Sequence, residues 1–349
     1  MPLVEDLAAD PSSGAGQFSF SGTPSGSGTF VYRAGKASAQ SWPVFWLDNS
    51  GKTRPLISTP GFYFTLRLSP DGQRLALAQG TENERGIFVY DSQREQMSRL
   101  TFNIPLTRWP IWSPDGKHVL FVLPVKGGGS SLGWIRADGA GEIQRLLDNK
   151  TFIIPYSFFP GGRRLAYSEL NPDSGWDIWT LTLDLTDPDH PKPGKPELFL
   201  RTPFDETFPA VSPDGRWIAY QSDESGRFEV YVGRFPGSSG KWQISNAGGI
   251  LPIWSPNGRE LFFQTLDNRI MVADYEGKNE SFTNGKPRLW SNQQLHDVSG
   301  ALNYDLAPDG KRFAILPELK APSEEKGPVH VTFLLNFFDE LRRHVPARK

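Results

Sequence analysis

Ser212-Pro213-Asp214-Gly215, followed by Arg216-Trp217-Ile218-Ala219-Tyr220, is the stretch on which the reading of the fold rests. Proline presets φ near −65° at the second turn position, aspartate bonds back to nearby backbone, and glycine takes the left-handed conformation that closes a hairpin. The string recurs as Ser69-Pro70-Asp71-Gly72, Ser113-Pro114-Asp115-Gly116, Phe159-Pro160-Gly161-Gly162, Ser255-Pro256-Asn257-Gly258 and Ala307-Pro308-Asp309-Gly310. Successive starts lie 44, 46, 53, 43 and 52 residues apart, a mean of 47.6. That is the length of one four-stranded propeller blade. Turn chemistry accounts for these motifs, their aspartates included.

Each turn sits between an apolar residue such as Trp112, Phe158 or Trp254 and a strand such as Leu75–Ala78, Val119–Val122 or Trp217–Tyr220. About ten residues later a third strand follows, as in Ile87–Asp91, Trp176–Trp179, Phe228–Val232 or Ile270–Ala273, and then a fourth, as in Ser98–Thr101, Glu197–Phe199, Trp242–Ile244 or Arg288–Trp290. One such sheet has two apolar faces and can bury neither alone, so the copies must stack around an axis with aromatic side chains filling the wedge between them. Eleven Trp and 24 Phe supply those side chains, and 30 Pro with 35 Gly supply the turns.

Ahead of the first clear turn, Phe18, Phe20, Gly28–Tyr32, Val44–Asp48 and Pro55–Ile57 trace a further copy with a degenerate turn, which makes seven. The expected fold is therefore all-β, a single seven-bladed propeller of four-stranded antiparallel blades over residues 1–335. Its repeats run at about 17–59, 60–102, 103–148, 149–201, 202–246, 247–291 and 292–335. The last repeat lacks a fourth strand, and Pro2-Leu3-Val4 has no blade of its own, so an N-terminal strand at residues 2–5 is expected to complete the seventh sheet. Asn336 can cap a short C-terminal helix in a tail at 336–349. The Pro-rich, charged segments Asp187–Pro196 and Pro317–Pro328 read as insertions within blade loops.

Composition excludes several functions. The 37 basic and 39 acidic residues leave a formal charge of −2, no excess for a phosphate backbone, and the chain has no Cys for thiolate chemistry or Cys-ligated metals. No apolar run approaches the roughly 18 residues of a membrane span, and Met1–Asp10 carries acidic rather than basic residues, so neither a span nor an export signal is read. The single Gly-x-Ser-x-Gly string, Gly129–Gly133, lies between two strands instead of opening a helix. The five histidines are scattered, and Asn171–Asp177 contains Pro172 and lacks a closing glutamate, so it reads as a turn and not a calcium loop. No catalytic residue, metal or cofactor is expected.

What remains is surface. Loops from the outer strand of one blade to the inner strand of the next gather at one mouth of a propeller channel, where several blades can hold one ligand. Here they are aromatic and charged, and the expected binding residues are Tyr63, Arg108, Tyr156, Asp205, Glu206, His296 and Asp297. The expected partner is a protein or peptide, or else a small ligand, held by a monomer. The alternative is a lyase or glycan-directed enzyme in which Asp205 and Glu206 converge with a base; adjacent residues of an extended strand point to opposite faces, which argues against it.

The repeats, for example Pro252–Phe263, resemble the WD-like propeller repeats of the TolB type over nearly the whole chain. More narrowly, Ser222–Val232 with Phe235-Pro236-Gly237, and the ending Leu334–Leu341, resemble the C-terminal propeller of bacterial transmembrane serine/threonine kinases of the eukaryotic-like kind. The resemblance implies a sensor or interaction role in the bacterial envelope. Kinase activity does not carry over, because neither a His-Arg-Asp catalytic loop nor an Asp-Phe-Gly motif is present.

Overall fold

The computed structural model describes residues 18–22, 28–33, 41–80, 84–237, 240–278, 280–298, 300–318, 331–335 and 343. The chain divides into two compact units, Trp42–Glu318 and the terminal segments Met1–Ser41 with Leu319–Lys349. In the terminal unit Phe18–Gly22, Gly28–Arg33 and Val331–Leu334 form a three-stranded antiparallel sheet, in which the Phe18 and Phe30 rings stack 5.5 Å apart.

The larger unit contains six antiparallel sheets, here blades 1 to 6. Blades 1 to 5 begin with inner strands Tyr63–Leu68, Arg108–Trp112, Ile153–Phe158, Glu206–Val211 and Ile250–Trp254; blades 1, 2 and 4 run outward through three further strands in chain order, and blades 3 and 5 through four, two of which share one partner strand. Blade 6 draws on both ends of the unit: Tyr304–Leu306 and Arg312–Ile315 form its inner half, Trp42–Asp48 and Thr53–Gly61 its outer half. Phe313 pairs with Leu47, and Ala314 with Trp46, across the join.

The first expected repeat is divided between two sheets. Residues 17–59 do not make one sheet, because Phe18–Gly22 pairs with Gly28–Arg33 and the latter with Val331–Leu334, while Trp42–Asp48 and Thr53–Gly61 complete blade 6. The four-strand outer-and-inner count of the last blade is satisfied by Trp42–Gly61, whereas the strand expected at 2–5 falls outside the described residues. So does the C-terminal tail at 336–349, of which Arg343 alone is described, in helical conformation.

The turns explain why the same tetrapeptide recurs. Ser69, Ser113 and Ser212 donate through Oγ to Oδ1 of the turn aspartate at 2.5–2.6 Å, and the same Oγ accepts the N–H of Arg74, His118 or Trp217 five residues on at 2.9–3.0 Å. Burial pushes the Asp71, Asp115 and Asp214 carboxyls up, but the bonds from serine and backbone N–H outweigh it and hold all three below the usual carboxylate range. The turn glycines have φ between +67° and +75°.

Those glycines also close the ring. A Cβ on Gly116 would stand 3.4 Å from Cδ of Pro70 in the preceding blade; Gly162 faces Pro114, Gly215 faces Pro160 and Gly310 faces Pro256 in the same way. Gly72 of blade 1 faces Pro308 of blade 6 at 3.0 Å, joining the last blade to the first. Tryptophans reinforce the seams: Trp112 Nε1 donates to Arg67 O and Trp254 Nε1 to Ala210 O, each 2.8 Å and each into the preceding blade.

Two insertions clasp the preceding blade from outside. The segment after Asp184 in blade 3 reaches blade 2, where Trp134 Nε1 donates to Pro188 O at 2.9 Å and Asp189 lies 2.8 Å from His118 Nε2. The hairpin of Ile270–Lys278 with Ser281–Asn284 in blade 5 reaches blade 4, where the Phe282 ring packs 5.2 Å from Trp217.

Candidate binding site

Inner strands alternate side chains between faces, so one position per repeat should look toward the axis at a given height. Two residues before each turn stand Arg67, Ile111, Ser157, Ala210, Ile253 and Asp305, and all six line a cavity of about 530 Å³ at the turn end of the inner strands. Its outer wall carries the turn prolines Pro70, Pro114, Pro160, Pro213 and Pro256, with Trp112, Phe158 and Trp254 between them. Tyr156, Phe208 and Leu302 also line it and belong to the apolar cluster that packs blades 3 to 6 together. A cavity of this volume lies within the range that takes a small ligand or a few peptide side chains.

Bulges at prolines interrupt three of the inner strands. Trp109, Phe208 and Leu251 each precede a proline and have φ of +49°, +55° and +56°. A residue before proline is already restricted, and a bulky side chain at positive φ costs on the order of 1–3 kcal/mol. In blade 4, Thr207 pairs with Gln221 and Ala210 with Ala219, so Phe208 and Pro209 together oppose the single residue Tyr220. The extra residue turns Phe208 into the apolar cluster, where its ring lies 4.6 Å from Tyr156.

The charged groups in this cavity are engaged. Arg67 Nη1 lies 3.4 Å from Asp305 Oδ1, and Arg67 Nη2 donates to Tyr156 O across the ring. Asp305 Oδ2 accepts Leu68 N–H at 2.7 Å, so the pair ties blade 6 to blade 1. Burial pushes the Asp305 carboxyl above its ordinary value; Arg67 and the backbone bonds offset only part of that. Ser157 Oγ accepts Val211 N–H at 3.1 Å.

Of the residues expected from sequence, Tyr156 alone lines this cavity. Tyr63 is buried and donates to Thr59 O at 2.9 Å. Arg108 sits at the far end of its inner strand, its guanidinium 5.7 Å from the Trp109 ring. Asp205 accepts Trp176 N–H at 2.9 Å, while Glu206 is buried with both oxygens on Thr202, taking its hydroxyl and, at 3.3 Å, its N–H. Burial pushes the Glu206 carboxyl up to about 7; the Thr202 bonds oppose that, and the nearby Asp177 and Glu224 charges add to it. His296 stacks on Trp42 at 3.8 Å and lies 3.2 Å from Glu318, and Asp297 is exposed beside it.

The sequence reading missed Arg67, Asp305 and Phe208. A signal existed: a charged residue two positions before the turn in two repeats whose counterparts are Ile, Ser, Ala and Ile. Among the described residues no cluster of His, Asp and Glu could hold a metal ion, and no helix is long and apolar enough to cross a membrane.

No family model matches the chain. A protein of Agrobacterium fabrum, uncharacterized protein Atu1656, is 25% identical over 279 residues, 75% of this chain and 87% of its own length. The solved structure of a TolB candidate from Agrobacterium tumefaciens matches with a TM-score of 0.60 and 20% identity, over 79% of this chain and 97% of that one. The fold is a TolB-like β-propeller. TolB from Acinetobacter baumannii gives a TM-score of 0.52 at 15% identity, over 82% and 65% of the two chains. A periplasmic gluconolactonase from Pseudomonas aeruginosa gives 0.51 at 15% identity, over 84% and 95%. At these identities the likeness is one of fold, and a fold shared with a gluconolactonase does not assign an activity.

Proposed function

We propose that this TolB-like propeller is a non-catalytic binding module that holds an apolar peptide segment of a protein partner in the turn-side cavity. The observation that carries the reading is the make-up of that cavity. Its walls are proline, tryptophan and phenylalanine from several blades, and Asp305, Ser157 and the two terminal nitrogens of Arg67 are held by internal bonds, while the buried Arg67 Nε has no partner among the described residues. Aromatic and proline surfaces give contact area at little entropic cost, as peptide-binding grooves require.

The rival reading, an enzyme using Asp205 and Glu206, finds no support in their geometry. The two carboxylates serve different partners, Trp176 and Thr202. A sensor or interaction role in a bacterial envelope system is supported by the TolB likeness and by the resemblance of Ser222–Val232 to kinase-linked propellers.

Selecting peptides from a displayed random library against the chain tests the proposal. Peptides rich in apolar and aromatic residues are expected, and Ile253→Arg, which puts a charge on the cavity wall, should weaken them at least tenfold without lowering the melting temperature by more than a few degrees. Selected peptides indifferent to Ile253→Arg, or turnover of a lactone or glycan that this variant or Glu206→Gln abolishes, would overturn it.

A further inference from the structure

The opposite end of blade 3 presents a second surface. Its hairpin runs from Arg164–Asn171 to Gly175–Asp184, and Leu170 and Trp176 are cross-strand partners just below the tip. Phe152 flanks one side, because Leu170 N–H donates to Phe152 O at 2.8 Å. Phe204 flanks the other, because Asp205, next in sequence, accepts Trp176 N–H at 2.9 Å. Both phenylalanines are about 40% exposed, at 42% and 41%, and Leu170 and Trp176 are half-buried between them. Phe152 and Phe204 thus expose apolar surface on either side of the hairpin, while Trp176 packs against the central apolar cluster.

Charge says what could cover it. Glu169, Asp173, Asp205 and Asp223 lie along this stretch, and Asp205 N–H donates to Asp223 Oδ1 at 3.0 Å. The neighbouring bases are already spent: Arg201 on Asp177 at 2.7 Å, Arg227 on Glu229 at 2.8 Å and Lys241 on Glu224 at 2.6 Å. Lys150, two residues before Phe152, marks the margin of the acidic stretch. The backbone beneath is held firmly, with Asp173 N–H on Asn171 Oδ1 at 2.9 Å and Glu206 bonded to Thr202, so the surface is preorganised.

We propose that the blade 3 hairpin tip, flanked by Phe152 and Phe204, is a docking surface for a basic, apolar-containing segment of a partner protein, separate from the turn-side cavity. Apolar side chains of the segment cover the phenylalanines, while its lysines or arginines meet carboxylates that no lysine or arginine pairs among the described residues, which makes the contact sensitive to salt.

The test uses the full chain and a fluorescein-labelled Lys-Leu-Lys-Leu-Lys-Leu peptide followed by anisotropy, with Glu-Leu-Glu-Leu-Glu-Leu as the counterpart. Saturable binding of the lysine peptide is expected, weakened at least tenfold by Phe152→Ser with Phe204→Ser, and equally by Asp173→Lys, while Ile253→Arg binds as the parent does. Asp173 is exposed at the tip, so its variant keeps the test decisive if the double variant unfolds. Three outcomes overturn the proposal: no saturable signal, equal binding of the glutamate peptide, or loss of binding in Ile253→Arg but not in Asp173→Lys.

Discussion

Replacing Glu206 with glutamine should change how the stability of this protein depends on pH. Glu206 is 1% exposed at the start of the blade 4 inner strand, and its carboxyl is pushed from 4.5 to about 7 by burial, with Asp177 and Glu224 adding to the effect and the Thr202 bonds opposing it. Because the native carboxyl holds its proton more tightly than the unfolded one, the native state binds more protons between those values. Stability from this group is therefore full below about pH 4.5, falls as pH rises, and is lost above about 7. At roughly 1.4 kcal/mol per pH unit, the span amounts to about 3 kcal/mol. Glutamine keeps an oxygen for Thr202 and cannot ionise. Urea unfolding at pH 4.5, 6 and 8 should show the variant near the parent at the acid end and about 3 kcal/mol more stable at pH 8. A constant difference across the three, or a variant that loses ground as pH rises, would refute burial as the cause.

Two further expectations concern the ring seam. Gly72→Ala places a Cβ at φ +68° and 3.0 Å from Pro308 Cδ, and should lower stability by about 1–3 kcal/mol, read from the denaturation midpoint. Arg67→Met leaves Asp305 buried without its guanidinium and should cost about 3–5 kcal/mol, whereas adding Asp305→Leu should recover much of the loss. A double variant no better than Arg67→Met would show that the pair is not the source of the effect.

Much of the fold was legible because its signals are local. The turn tetrapeptide carries its own mechanism in Ser212, Asp214 and Gly215, and the strands on either side follow from pairing across it. The division of the first repeat was not legible. Val44–Asp48 reads as a strand wherever it goes, and its pairing with Arg312–Ile315 instead of Gly28–Arg33 is a contact between residues more than 250 positions apart. The site was legible only by residue type. Aromatic and acidic loop residues marked the loop end of the channel, yet Tyr63 and Glu206 are buried and bonded, while Arg67 and Asp305, 238 positions apart, meet at the axis.

By itself the sequence determined an all-β chain of hairpin repeats, rich in the aromatic wedges and prolyl turns that stacked sheets need. Tertiary structure decided that the larger unit has six blades, that blade 6 is built from both of its ends, and which side chains share the cavity. The physical reason is range: turn and strand preferences act over a few residues, whereas ring closure and axis-facing neighbours depend on how whole sheets pack, which no local pattern encodes.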